Sequence, residues 1–92
     1  MSPDSQEVKA CIVAALRQPL TAVGADPHAL PDDFDFRARG VIDSLGFVQL
    51  IGDLEARFAC SINLMDLDPE QLTMLGALSR HIAVQVAFHR AS

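Results

Sequence analysis

The sequence predicts an all-α fold, a four-helix bundle of three long helices and one short one with a long loop between the first two. Three observations carry this. Apolar residues recur at helical spacing over 8–16, 47–58 and 75–86. No stretch alternates apolar and polar residues as a strand would. The apolar half of the chain is Leu, Ile, Val and Ala with five Phe and no Trp or Tyr, a composition suited to packed helices.

Asp4 or Ser5 is placed to cap the first helix, and Val8, Cys11, Ile12, Ala15 and Leu16 form its apolar stripe. Pro19 is expected to end it, because a proline ring biases the preceding residue away from helical geometry; the helix then runs from about 5 to about 18. A short helical turn fits near 20–24. Prolines at 27 and 31 and glycines at 24 and 40 mark an irregular stretch up to Ile42. It carries Leu30, Phe34, Phe36, Val41 and Ile42, so it is expected to lie across the core.

The second helix is the clearest. Asp43 is a good N-cap, and Phe47, Leu50, Ile51, Leu54 and Phe58 follow on one face. Gly46 and Gly52 each weaken a helix by roughly 1 kcal/mol relative to Ala, which suggests a close approach. Residues 59–69 read as a linker anchored by Ile62, Leu64 and Leu67. Asp68-Pro69-Glu70 starts a short helix over 69–72. Thr73 is expected to cap the last helix, whose stripe is Leu75, Leu78, Ile82 and Val86, widened by Met74, Ala77, His81 and Val84.

Ninety-two residues point to one small domain, 1–92, with a core over about 5–88. The net charge of −5 argues against nucleic acid or a membrane surface as partner and favours basic docking patches. Cys11 and Cys60 form no CxxC pair and read as small hydrophobes in a reducing compartment. No segment reaches the ~18 apolar residues that span a bilayer, and the N-terminus lacks the basic start of a signal peptide, so a cytoplasmic protein is expected. His28, His81 and His89 lack metal-ligand spacing, and Asp32, Asp33 and Asp35 lack the glycine and distal Glu of a calcium loop and read as a solvated acidic loop. Nothing supports Cys60 as a nucleophile. No G-x-S-x-G elbow surrounds Ser44, and no glycine-rich phosphate loop is present. The chain is not expected to be an enzyme.

Ser44 stands apart by position. It follows the N-cap in the first turn of the second helix, where unpaired N–H groups and the helix dipole favour a covalently attached phosphate. Asp43 opposes that with its own charge. On local chemistry alone a serine that merely starts a helix is the more common case.

The wider pattern reverses that order. Gly40, Val41, Ile42, Asp43, Ser44 and Leu45, followed by Leu54, Glu55 and Phe58, resemble the acyl, peptidyl and aminoacyl carrier-protein family. Residues 66–78, DLDPEQLTMLGAL, resemble that family's short third helix and the start of its fourth. The resemblance implies an acyl-carrier-protein-like bundle, with 4′-phosphopantetheine moved from coenzyme A to Ser44 by a phosphopantetheinyl transferase. The arm would hold acyl or aminoacyl groups as thioesters. The partners implied are an activating ligase and downstream acyltransferases or synthases, met by a monomer. Asp43, Leu45, Phe47, Gln49 and Asp53 are the expected docking residues. The second helix is less acidic than that of fatty-acid-synthesis carriers, since Gly46, Gln49, Gly52 and Ala56 stand where acids or larger residues are common. That leans toward a dedicated aminoacyl or secondary-metabolite pathway. Ala59 replaces the glycine usual after the helix-two Phe. The alternative is an unmodified carrier-like bundle that acts as a protein-interaction module.

Overall fold

The three apolar stripes become α1 (Ser5–Ala15), α3 (Ser44–Phe58) and α4 (Leu75–Ala91); the short α-helix is α2 (Arg17–Ala22), and the short helix expected over 69–72 is instead a 3₁₀ turn at Pro69–Gln71. The computed structural model describes residues 3–91; positions 1, 2 and 92 of the expected domain lie outside the described residues. Among the described residues the only strand-like feature is one antiparallel bridge, Asp35 to Met74. The fold is all-α, as expected.

α1 starts where Asp4, in extended backbone, accepts the Glu7 N–H on Oδ1 at 2.8 Å. Its stripe buries Val8, Ile12 and Leu16, while Ala15 is exposed. Pro19 does not end the helical run. The chain bends at Leu16 and resumes as α2, with Pro19 its third residue. First-turn positions have no helical acceptor for their N–H, so proline costs little there. Complete burial of Leu20, whose N–H reaches the Leu16 carbonyl at 2.9 Å, outweighs the bias on the residue before the ring. The turn expected near 20–24 is the end of α2.

The long loop does lie across the core. Phe34, Phe36 and Val41 are buried, and the two rings meet edge to face with centroids 5.8 Å apart. Its backbone is stitched to the start of α4. Leu75 N–H donates to the Phe34 carbonyl at 2.9 Å, Gly76 N–H to the Asp32 carbonyl at 2.8 Å, and Phe36 N–H to the Thr73 carbonyl at 2.9 Å. A helix's first N–H groups need acceptors, and here a distant loop supplies two of them. Thr73 is therefore not the expected cap. Its hydroxyl instead donates to Asp35 Oδ1 at 2.7 Å. Gly76 permits this approach, since a Cβ there would lie 2.5 Å from Asp32 Cβ.

α3 buries Leu50, Leu54 and Phe58, with Phe47 and Ile51 half-buried against the same core. It ends at Ala59, which adopts the left-handed conformation (φ 53°, ψ 43°) that glycine usually supplies, and donates its N–H to the Glu55 carbonyl. In α4, Leu75, Leu78, Ile82 and Val86 are fully buried, each worth roughly 1.5–3 kcal/mol. Val84 does not widen that stripe; it is exposed. α1 packs mainly on α4 and more lightly on α3.

The segment between α3 and α4 is pinned in its first half, at Ile62 and Asn63. Glu55 Oε2 accepts the Ile62 N–H at 2.8 Å. The Gln85 side-chain amide clasps Asn63, accepting its N–H and donating to its carbonyl, both at 2.6 Å, and His81 Nε2 reaches the same carbonyl. Ile62, Leu64 and Leu67 pack against the core, as expected of anchors.

Candidate functional site

The approach to α3 is a fixed loop. Asp35 organises it: Oδ1 accepts the N–H groups of Arg37 and Ala38 at 3.0 and 3.1 Å, besides the Thr73 hydroxyl. Partial burial raises the Asp35 pKa, but the Thr73 and backbone hydrogen bonds and the Arg37 charge outweigh it and hold the carboxyl below its ordinary value. Asp35 is thus an anion at neutral pH with a structural task. Asp32 also has partners, Lys9 at 3.1 Å and Arg80 at 3.7 Å. The acids read from the sequence as a solvated loop are, at these two positions, ties between segments. The later loop turns at Gly40, whose φ of +73° favours glycine, and Val41 N–H donates to the Phe36 carbonyl at 2.8 Å.

Asp43 then caps α3. Its backbone is extended, and Oδ1 accepts the Gly46 N–H at 2.7 Å. Gly46 fits this close approach, as a Cβ would sit 3.3 Å from that oxygen. Gly52, by contrast, faces open space. Because Asp43 makes the cap bond, the Ser44 side chain is not engaged as the cap. It is exposed at the first helical position, and its hydroxyl makes no hydrogen bond among the described residues. The side chain is free to carry a covalent group, at the end of a helix whose dipole favours an anion.

A groove of about 470 Å³ opens beside Ser44. Phe47 and Val48 of α3 form one wall, and Pro69, Glu70, Leu72 and Thr73 form the other. Asp35, Arg37 and Asp43 also line it.

The expected docking residues divide by position. Leu45 is 66% exposed, and Gln49 and Asp53 are also exposed along α3. Phe47 is half-buried against the core and lines the groove. Asp43 is engaged as the cap. The sequence reading missed Val48, 65% exposed, which lies three residues from Leu45 and so shares its face. It also missed Asp35 and Thr73, which bond across 38 positions and leave no periodic signal.

Cys60 is buried and Cys11 half-buried, and both are free thiols. Among the described residues no group of three His, Cys, Asp or Glu could hold a metal ion. Among the described residues no helix is long and apolar enough to cross a membrane.

Compared with known families, residues 7–82 match the model described as "Phosphopantetheine attachment site". Comparison with curated proteins and with solved structures gives no match.

Proposed function

The chain belongs to the phosphopantetheine-attachment family, whose members carry 4′-phosphopantetheine covalently, and on that premise we propose that Ser44 is the residue that bears it. One observation carries this reading. Ser44 is an exposed, unengaged hydroxyl in the first turn of α3, with the capping role already filled by Asp43. The residues present fit the group: the α3 N-terminus suits its phosphodiester, and the adjoining groove offers it a bed.

When bound, the arm supplies a terminal thiol that holds acyl or aminoacyl cargo as a thioester. The chain itself tethers and presents. Asp43 fixes the first turn of α3 and so the direction of the Ser44 side chain. The Asp35–Thr73 bond fixes the loop and the groove wall on either side. Tethering makes each partner's encounter with cargo nearly intramolecular, which raises its effective concentration. The chain is a carrier and not itself an enzyme.

The partners proposed are a phosphopantetheinyl transferase, a dedicated activating ligase and downstream acyltransferase or synthase enzymes. The exposed face of α3 supports a dedicated aminoacyl or secondary-metabolite pathway over general fatty acid synthesis. That face presents Leu45, Val48, Gln49, Gly52 and Ala56, with Asp53 its one acid. Glu55 is turned to Ile62 and is not offered for docking. Docking on such a face is driven by apolar contact more than by charge.

Incubation with coenzyme A and a broad-specificity transferase tests the reading. The intact mass rises by one phosphopantetheine in the wild type and stays unchanged in Ser44→Ala. A wild-type mass that does not change refutes it and favours an unmodified interaction module.

A further inference from the structure

A second groove, of about 400 Å³, runs along α1. Helical spacing puts Lys9, Val13 and Arg17 in one row, with Ala10 and Ala14 beside it. Pro27, His28 and Leu30 of the long loop also line it. Val13 and Leu30 are half-buried and pack on the core from here. None of these residues lines the groove beside Ser44 or belongs to α3. The charge here is opposite to that of the chain. The protein carries −5, yet this groove is lined by Lys9, Arg17 and His28 and by no acid. Glu7, Asp26 and Asp32 neighbour these residues in sequence but stand outside the lining. Asp32 lies between Lys9 at 3.1 Å and Arg80 at 3.7 Å, so one acid meets two cations. Asp26 Oδ1 accepts the His28 backbone N–H. The Arg17 side chain has no ion pair among the described residues.

The spacing of the two cations points to the shape of an occupant. Lys9 and Arg17 stand roughly 12 Å apart along the helical rise. Two residues four apart on an extended strand are roughly 13 Å apart and point the same way. The residue midway between them would face Val13 and the two alanines, whose small side chains let a backbone approach. We propose that this groove docks an extended acidic segment of another protein, of the pattern acid-x-apolar-x-acid. Its acids meet Lys9 and Arg17, and its apolar residue lies on Val13 and Leu30. A nucleic acid or an anionic bilayer extends well beyond the groove and meets the net negative charge of the chain, which disfavours both. Charge of this kind selects the partner more than it sets raw affinity. Docking here leaves the Ser44 groove and the exposed face of α3 open, so one protein can hold the chain while another works at Ser44.

The test follows the backbone amide signals of the full chain while the capped peptide Gly-Glu-Thr-Leu-Thr-Glu-Gly is added to millimolar concentration. The signals of Ala10, Val13, Arg17, His28 and Leu30 shift and saturate, and those of Leu45 and Val48 on α3 stay in place. The same peptide with Lys for both Glu moves none of them. Arg17→Glu, at an exposed position, keeps the Tm of the wild type and weakens binding about two- to tenfold, the effect of replacing one exposed attractive pair by a repulsive one. Raising the ionic strength to about 1 M, where the Debye length is about 3 Å, weakens it too. Ser44→Ala binds the peptide as the wild type does, so failure here and failure of arm attachment are separate results. No shift of these signals, equal shifts with the Lys peptide, or an affinity indifferent to Arg17→Glu overturns the proposal. Shifts of the same signals with protein concentration alone would assign the groove to a second copy of the chain. Shifts with phosphatidylglycerol vesicles but not with the peptide would assign it to a membrane. Either of these overturns the proposal as well.

Discussion

Replacing Thr73 by valine removes the one side-chain bond, among the described residues, between the loop that leads to Ser44 and the segment that leads to α4. The methyl that replaces the hydroxyl occupies nearly the same volume, so the change isolates the hydrogen bond. That bond is 2.7 Å long, part-buried and made to a carboxylate. Hydrogen bonds to charged groups contribute roughly 1.5–3 kcal/mol. Asp35 keeps its two backbone donors, so the loss lies at or just below the low end of that range, about 1–1.5 kcal/mol. For a domain of this size that lowers Tm by about 4–12 °C. The pH dependence is specific. The folded pKa of Asp35 lies below its ordinary value of 3.8, so its stabilisation is complete above that value and is lost as pH falls through the folded one. Thr73→Val removes one cause of the depression. Its destabilisation is therefore full at neutral pH and shrinks as Asp35 protonates. Thermal melts of both proteins at neutral pH and in acid decide the matter. Equal Tm values at neutral pH, or a difference unchanged in acid, refute the tie as described.

Gly76→Ala places a Cβ 2.5 Å from Asp32 Cβ and disturbs the stitch between loop and α4. It should cost about 1–3 kcal/mol by chemical denaturation, and no loss would mean the loop is not held there. Ala59→Gly relieves a left-handed residue and should stabilise by up to about 1 kcal/mol, so a lower Tm would contradict the C-cap geometry. Asp53→Lys should alter the rate of loading by a partner with Tm nearly unchanged, within about 0.5 kcal/mol, as for a surface substitution. Glu55→Lys should lower Tm as well, by about 1–3 kcal/mol of stability, because the Ile62 N–H loses its acceptor. If the two charge reversals melt alike, Glu55 is not the anchor proposed.

Much of this fold is legible in the sequence because helices announce themselves locally. The stripe Leu50, Leu54, Phe58 and the stripe Leu75, Leu78, Ile82, Val86 are fixed by a repeat that any short window reveals. Phe34 and Phe36 betray a buried loop because large aromatics are seldom left in water. Contacts made across long sequence separations are harder to read. Thr73 looks like a helix cap from its neighbours, yet its hydroxyl serves Asp35. Pro19 looks like a terminator, yet a bend at Leu16 moves it into a first turn where it is tolerated. Glu55 looks like a surface acid of α3, and only the path of 59–62 shows it bonded to Ile62. At the site, the Asp43 cap and the first-turn place of Ser44 follow from spacing. The groove, and the charge along it, depend on segments that meet only in the fold.

Tandem mass spectrometry of the modified chain tests the central claim most directly. After reaction with coenzyme A and a transferase, peptide fragments should place the single phosphopantetheine on Ser44. The arm on another serine, such as Ser61, or no arm on the wild-type chain, would contradict it.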